Sequence, residues 1–119
     1  MHYLLVGLGG IVGSITRFAL GKFISEKNSS DFPIATLLIN ISGAFLLGLV
    51  NGIGVKDKLY LLLADGFLGA YTTFSTFMYE GIFLLEEDEK MPAFRYILGT
   101  IFFGIIGFVV GYILGKFIR

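Results

Sequence analysis

Cysteine is absent from the 119 residues. A disulfide framework, a thiolate metal site and a cysteine nucleophile are thereby excluded. Histidine is nearly absent, with His2 the only one. A histidine ligand pair on a helix is impossible, and histidine-based proton transfer is not expected. Charge is scarce too: 15% of residues are charged and 55% are hydrophobic. Soluble domains carry about a quarter charged residues. A soluble domain of this composition would expose large sticky patches, a difficulty that a lipid solvent removes. Formal net charge is zero, so no electrostatic pull toward nucleic acid is indicated. No nucleotide-binding segment is present. No basic stretch precedes the first apolar run, so that run reads as a retained span and not a signal peptide.

What remains is apolar runs. A helix needs about 20 mostly apolar residues to cross a bilayer. Four runs qualify, over about residues 3–23, 32–53, 59–85 and 94–118. The predicted fold is an all-α integral membrane protein, one four-span domain over residues 1–119. The segments S-E-K-N-S-S-D, V-K-D-K and E-E-D-E-K-M-P read as loops. Pro33 and Pro92 stand at or near helix starts, where a missing N–H does no harm.

An even number of spans puts both termini on one side. Lys56, Lys58, Lys116 and Arg119 fall on that side; Lys22, Lys27, Lys90 and Arg95 fall on the other. Orientation follows an excess of Lys and Arg on the cytoplasmic side, and here there is no excess. The balance predicts insertion both ways round, and opposed copies could pair as an antiparallel, dual-topology homodimer. Among the 17 glycines, Gly9 and Gly13, Gly48 and Gly52, and Gly107, Gly111 and Gly115 recur at four-residue spacing. Small residues at that spacing let helices approach closely in lipid. They argue for tight helix contacts, self-association included, and not for a substrate.

Charged groups inside spans are costly and therefore candidate functional groups. Arg17, Asp65 and Glu80 qualify. Arg17 can snorkel to the surface or form a charged vestibule with Glu80. Asp65 lies before the third span's polar stretch and is expected at most to cap or orient that helix. Asn40 sits near mid-membrane with Thr36 one turn before it; it is either interhelical glue or a pore lining. Tyr96 and Thr100 make a narrow polar stripe on the fourth span, although a hydroxyl can equally bond its own helix backbone.

The third span is interrupted near mid-membrane by G-A-Y-T-T-F-S-T-F, residues 69–77. Gly66 and Gly69 are expected to loosen it ahead of Thr72, Thr73, Ser75 and Thr76. Non-helical backbone at that depth is tolerated only in protein or beside a cavity. Freed carbonyls at a broken span coordinate ions, and they suit a hard cation such as Na⁺. In an antiparallel dimer the two breaks would meet on the two-fold axis. Phe74 and Phe77 are three apart on one helix face. Aromatic edges are electropositive and can meet a small anion, but in a chain with 13 Phe such a pair is ordinarily lipid-facing packing.

Four segments make the chain resemble the Fluc (CrcB-type) fluoride channels of microorganisms. They are G-G-I-V-G-S-I-T-R-F, F-P-I-A-T-L-L-I-N-I-S-G-A-F-L-L-G, G-F-L-G-A-Y-T-T-F-S-T-F and the Tyr96/Thr100 stripe. The resemblance implies a passive fluoride channel of the cell membrane with two pores per antiparallel dimer. It implies that Asn40, Phe74 and Phe77 line each pore. Thr36, Ser75, Thr76, Glu80, Tyr96 and Thr100 would continue the path, with Arg17 in a vestibule. It also implies that the backbone carbonyls of Gly69 and Thr72 hold a structural Na⁺ that is not transported. Gly104 departs from relatives that carry a hydroxyl there, and Ala35 from a usual Gly. A small four-helix multidrug-type exporter would need a carboxylate in the first span, which holds Arg17 and no Asp or Glu. A non-transporting membrane subunit would account for the glycines but not for a polar break.

Overall fold

The computed structural model describes residues 2–27 and 32–119. Among these residues there is no strand. Helix α1 is His2–Lys27, α2 is Ile34–Ile53, α3 is Asp57–Tyr60, a π-helical segment covers Leu61–Leu68, α4 is Gly69–Tyr71, α5 is Phe74–Glu86 and α6 is Lys90–Ile118. Three of these, α1, α2 and α6, are long and apolar enough to cross a membrane. The region between α2 and α6 is divided into shorter pieces, none of which reaches that length alone.

The molecule is apolar on its outside. Phe18, Phe23, Phe102, Phe103, Ile105 and Phe117 are among many exposed large hydrophobic side chains. Apart from Ala64, the buried apolar side chains fall into two small clusters. One is Phe77, Leu84, Ala93 and Tyr96; the other is Ile39, Leu68 and Tyr71. In water such a surface would drive aggregation, whereas in lipid it is the solvated face. Lipid also removes the hydrophobic force between helices, so close packing and hydrogen bonds must hold them.

Glycine supplies the close packing. On α2, Gly48 and Gly52 lie against the carbonyl oxygens of Phe108 and Tyr112; on α6, Gly111 and Gly115 lie against those of Phe45 and Leu49. A methyl group at any of the four would collide with backbone. Gly9 and Gly13 of α1 meet the π-helical segment in the same way, at Leu62 O and Phe67 O. Each such Cα–H···O contact is worth about 0.5–1 kcal/mol. The four-residue glycine spacing is thus used within the chain.

Boundaries differ from the sequence-based expectation in informative ways. Helix α1 continues through Ser25, Glu26 and Lys27, and the rest of the expected first loop, residues 28–31, lies outside the described residues. Pro33 is the N-cap of α2, and Pro92 sits in the first turn of α6, where helix amides have no partner anyway. Helix α2 ends on Gly54 at φ 88°, whose N–H reaches Asn51 O while Val55 N–H reaches Val50 O. That left-handed residue is what a glycine supplies at low cost. Asp88, at φ 59°, turns the chain between α5 and α6; Asp tolerates this region better than most residues.

Of the two glycines expected to loosen the helix, Gly66 lies within the π-helical departure from the α-helix, whereas Gly69 marks no break. Gly66 is buried in the π-helical segment beside Gly9, and Gly69 has ordinary right-handed helical torsions. The extended backbone is confined to Thr72 (φ −82°, ψ 156°) and Thr73 (φ −144°, ψ 119°). The rest of residues 69–77 is helical.

Candidate functional site

Helix α5 starts at Phe74 because Thr73 caps it. The Thr73 Oγ1 accepts the Thr76 N–H at 3.3 Å and donates to Thr76 Oγ1 at 3.1 Å. Such a cap satisfies an amide that has no helical partner. Thr72 N–H still bonds Leu68 O at 3.0 Å, and its hydroxyl donates to the same oxygen at 2.9 Å. Helix α4 therefore closes normally, and the chain then extends for two residues.

Two neighbouring helices engage this extension. The Asn40 carboxamide on α2 exchanges two hydrogen bonds with Thr73: Nδ2 donates to Thr73 O at 3.0 Å and Thr73 N–H donates to Oδ1 at 2.9 Å. Arg17 on α1 donates from Nε to Ala70 O at 3.2 Å. Ser42 on α2 donates to Ile39 O at 3.0 Å, so its 2.8 Å bond with the buried Tyr71 has the phenol as donor.

These bonds redirect amides that a continuous helix would send elsewhere. Thr73 N–H would bond Gly69 O, and Thr76 N–H would bond Thr72 O. Both are diverted, to Asn40 and to Thr73 Oγ1. Among the described residues no donor reaches the carbonyl oxygens of Gly69 or Thr72. Gly69 is exposed and Thr72 half-buried.

Two cavities border the extension, and Thr73 lines both. One, of about 440 Å³, is lined by Arg17, Lys22, Thr36, Thr73, Thr76 and Glu80, among others. It holds both cationic side chains and the carboxylate, yet no ion pair joins Arg17 to Glu80 among the described residues. The other, of about 730 Å³, includes Asn40, Asp65, Gly69, Thr72, Phe74, Phe77 and Thr100 in its lining. Phe74 and Phe77 have ring centroids 6.2 Å apart, tilted by 50°. Phe77 is 7% exposed and Phe74 74%. Asp65 is exposed within the π-helical segment and caps no helix end.

Two expected site residues line neither cavity. Ser75 is exposed on α5. Tyr96 is fully buried behind Phe77, with ring centroids 5.3 Å apart. Its hydroxyl donates to Glu80 Oε1 at 3.3 Å and also interacts with the buried Thr36. Thr100 donates to Tyr96 O at 2.6 Å, the bond to its own helix that such residues favour. Sequence reasoning missed Thr73 as the hub and Ala70 O as the Arg17 acceptor. A threonine directly before an α-helical run is an N-cap signal and marks Thr73; nothing in the sequence marks Ala70.

Long apolar helices around a polar, hydrogen-bonded interruption define a multi-pass α-helical membrane protein. Residues 4–112 match the family model described as "CrcB-like protein, Camphor Resistance (CrcB)". The chain belongs to that family. It is 54% identical to a Clostridium acetobutylicum protein named "Fluoride-specific ion channel FluC 2", covering 93% of this chain and 95% of that one. It is 47% identical to "Fluoride-specific ion channel FluC 1" of Carboxydothermus hydrogenoformans, covering 98% and 94%. Identity to "Fluoride-specific ion channel FluC" of Aquifex aeolicus is 43%, covering 93% and 94%.

Proposed function

We propose that this protein is a fluoride-selective passive channel and not an enzyme. The observation that carries the reading is the pairing of Phe74 and Phe77 beside Asn40 and the extended Thr72–Thr73 backbone in one cavity, in a chain closely similar to proteins named fluoride-specific channels. Aromatic edges and hydroxyls stabilise a small anion without a fixed positive charge that would trap it. Arg17 and Lys22 line the other cavity and would raise the local anion concentration at its mouth. Thr36, Ser75, Thr76, Glu80, Tyr96 and Thr100 belong to the polar path in this reading.

The pieces between α2 and α6 act together as a third, broken span, which makes four spans per chain. The balanced Lys and Arg distribution supports insertion in both orientations and an antiparallel homodimer with two pores in the cell membrane. The exposed Phe74 and Gly69 would then face the second copy. Among the described residues the Gly69 and Thr72 carbonyls have no donor, so they suit a hard cation. They would hold a structural Na⁺ that neutralises four carbonyl dipoles at the dimer centre. Fluoride that enters from an acidic surrounding as HF dissociates in the more alkaline cytoplasm; the anion then leaves down its gradient without coupling.

Purified protein in liposomes is expected to pass fluoride and strongly exclude chloride. Equal chloride flux, or no flux of either ion, overturns the reading.

A further inference from the structure

Both hydrogen-bonding groups of the Asn40 side chain are engaged by a single residue, Thr73. This is the two-bond exchange by which one antiparallel strand residue holds another, made here by a carboxamide. Thr73 has the extended torsions that the exchange needs. Arg17 takes hold of Ala70 O, three residues earlier, from another helix. The two bonds to Thr73 and the one to Ala70 are the side-chain contacts that α1 and α2 make with the backbone on either side of the extension.

The alternative conformation is easy to identify. If Thr73 N–H were free, its nearest helical acceptor would be Gly69 O, which has no donor among the described residues. An unpaired backbone group inside a bilayer costs several kcal/mol. Joining these two groups would close the helix across Thr72 and Thr73. It would also occupy the carbonyl at Gly69 and rotate Phe74 relative to α4, because two extended residues would become helical.

We propose that Asn40 and Arg17 are positioning residues that hold the break open against this closure. Asn40 acts through the Thr73 backbone, in addition to any contact its second Nδ2 hydrogen makes with the passing ion. Arg17 acts through the Ala70 carbonyl in addition to any attraction its charge exerts. The flux part of this proposal rests on the channel reading above; the conformational part does not.

The test uses full-length protein labelled with ¹³C,¹⁵N-threonine, in lipid nanodiscs. The Cα and Cβ shifts of Thr73 report whether its backbone is extended or helical. In the native protein they are expected to be extended. In Asn40→Ala they are expected to move to helical values while fluoride flux falls about tenfold or more, the effect of losing one or two well-made hydrogen bonds. Asn40→Asp keeps the acceptor for Thr73 N–H and is expected to keep Thr73 extended more often than Asn40→Ala does. Arg17→Lys keeps the charge and loses Nε; Thr72 and Thr73 shifts and flux are expected to change together. Thr73 remaining extended in both Asn40→Ala and Arg17→Lys overturns the proposal, whatever the flux. If Asn40→Ala does not assemble, Arg17→Lys decides by the same shifts, and Thr73 remaining extended there overturns the proposal. Native protein without fluoride flux would sink the channel reading and leave the Thr73 shifts to judge the latch.

Discussion

The Tyr96 hydroxyl donates to Glu80 Oε1 across 3.3 Å, from a ring with no exposed surface. The ring is fixed by Phe77 at 5.3 Å and by Phe32 edge-on at 5.8 Å. Tyr96→Phe therefore removes the hydroxyl and keeps the packing. Glu80 loses a donor, at a cost of about 1 kcal/mol. Fluoride flux is expected to fall about tenfold, the kinetic equivalent of about 1.4 kcal/mol, while the melting temperature falls by only a few degrees, as the loss of about 1 kcal/mol implies. Flux and melting curves on one preparation check this. Native flux in Tyr96→Phe would remove the hydroxyl from the path.

Phe74 and Phe77 are neighbours with different surroundings. Phe77 belongs to the buried cluster with Leu84, Ala93 and Tyr96, so Phe77→Ala is expected to destabilise the fold by about 3–5 kcal/mol. Phe74 stands exposed in the single chain, so Phe74→Ile should leave the melting temperature of the monomer nearly unchanged. Both Phe74→Ile and Phe77→Ile are expected to lower fluoride flux severely while dimers persist. Chemical denaturation and liposome flux separate the two effects. A Phe74→Ile protein with native flux would take that ring out of the pore.

The membrane class was legible because composition and run length report it directly: an apolar run of about 20 residues matches the thickness of a bilayer. The ends of α1 and the glycine contacts were less so. Periodicity identified Gly48, Gly52, Gly111 and Gly115 as packing residues, but only the structure pairs α2 with α6 and α1 with the π-helical segment. The polar stretch at residues 69–77 was legible as unusual, yet its geometry was not. Gly66 and Gly69 looked like the loosening residues, because glycine is a poor helix former. In fact tertiary packing uses Gly66 for close approach, and the extension falls on two threonines that Asn40 can reach. The cap at Thr73 has a local signal, but its partner Asn40 stands 33 residues away, and local sequence carries no trace of that pairing.

Glycine substitutions should divide sharply by position. Gly13→Ala and Gly111→Ala each drive a methyl into a backbone carbonyl, at Phe67 and Phe45. Backbone cannot yield as a side chain can, so each is expected to cost about 3 kcal/mol or to prevent folding. At Gly99 and Gly104 nothing lies within 4 Å of the place an alanine methyl would take. Gly99→Ala and Gly104→Ala are expected to be neutral, or to gain up to about 1 kcal/mol from helix propensity. Expression level and size-exclusion profiles of the four variants give the comparison. Loss of the folded species in Gly104→Ala would mean that a partner surface covers it closely.

The threonine at the break allows its backbone and its hydroxyl to be told apart. Thr72 Oγ1 donates to Leu68 O at 2.9 Å, so the hydroxyl proton is already committed within α4, whereas the Thr72 carbonyl has no donor among the described residues. If the carbonyls of Gly69 and Thr72 hold Na⁺, then Thr72→Val should preserve the site: its shape is nearly that of threonine and the carbonyl remains. Losing the single hydroxyl bond should cost about 1 kcal/mol of stability. Replacing Na⁺ on both sides of the membrane by a large organic cation would then empty the site and leave the carbonyl dipoles mutually repulsive. Fluoride flux is expected to fall under that exchange in the native protein and in Thr72→Val alike, and to return when Na⁺ is restored. Flux insensitive to Na⁺ in both proteins would dissociate these carbonyls from any cation. Sensitivity in the native protein but not in Thr72→Val would transfer the role from the carbonyl to the hydroxyl.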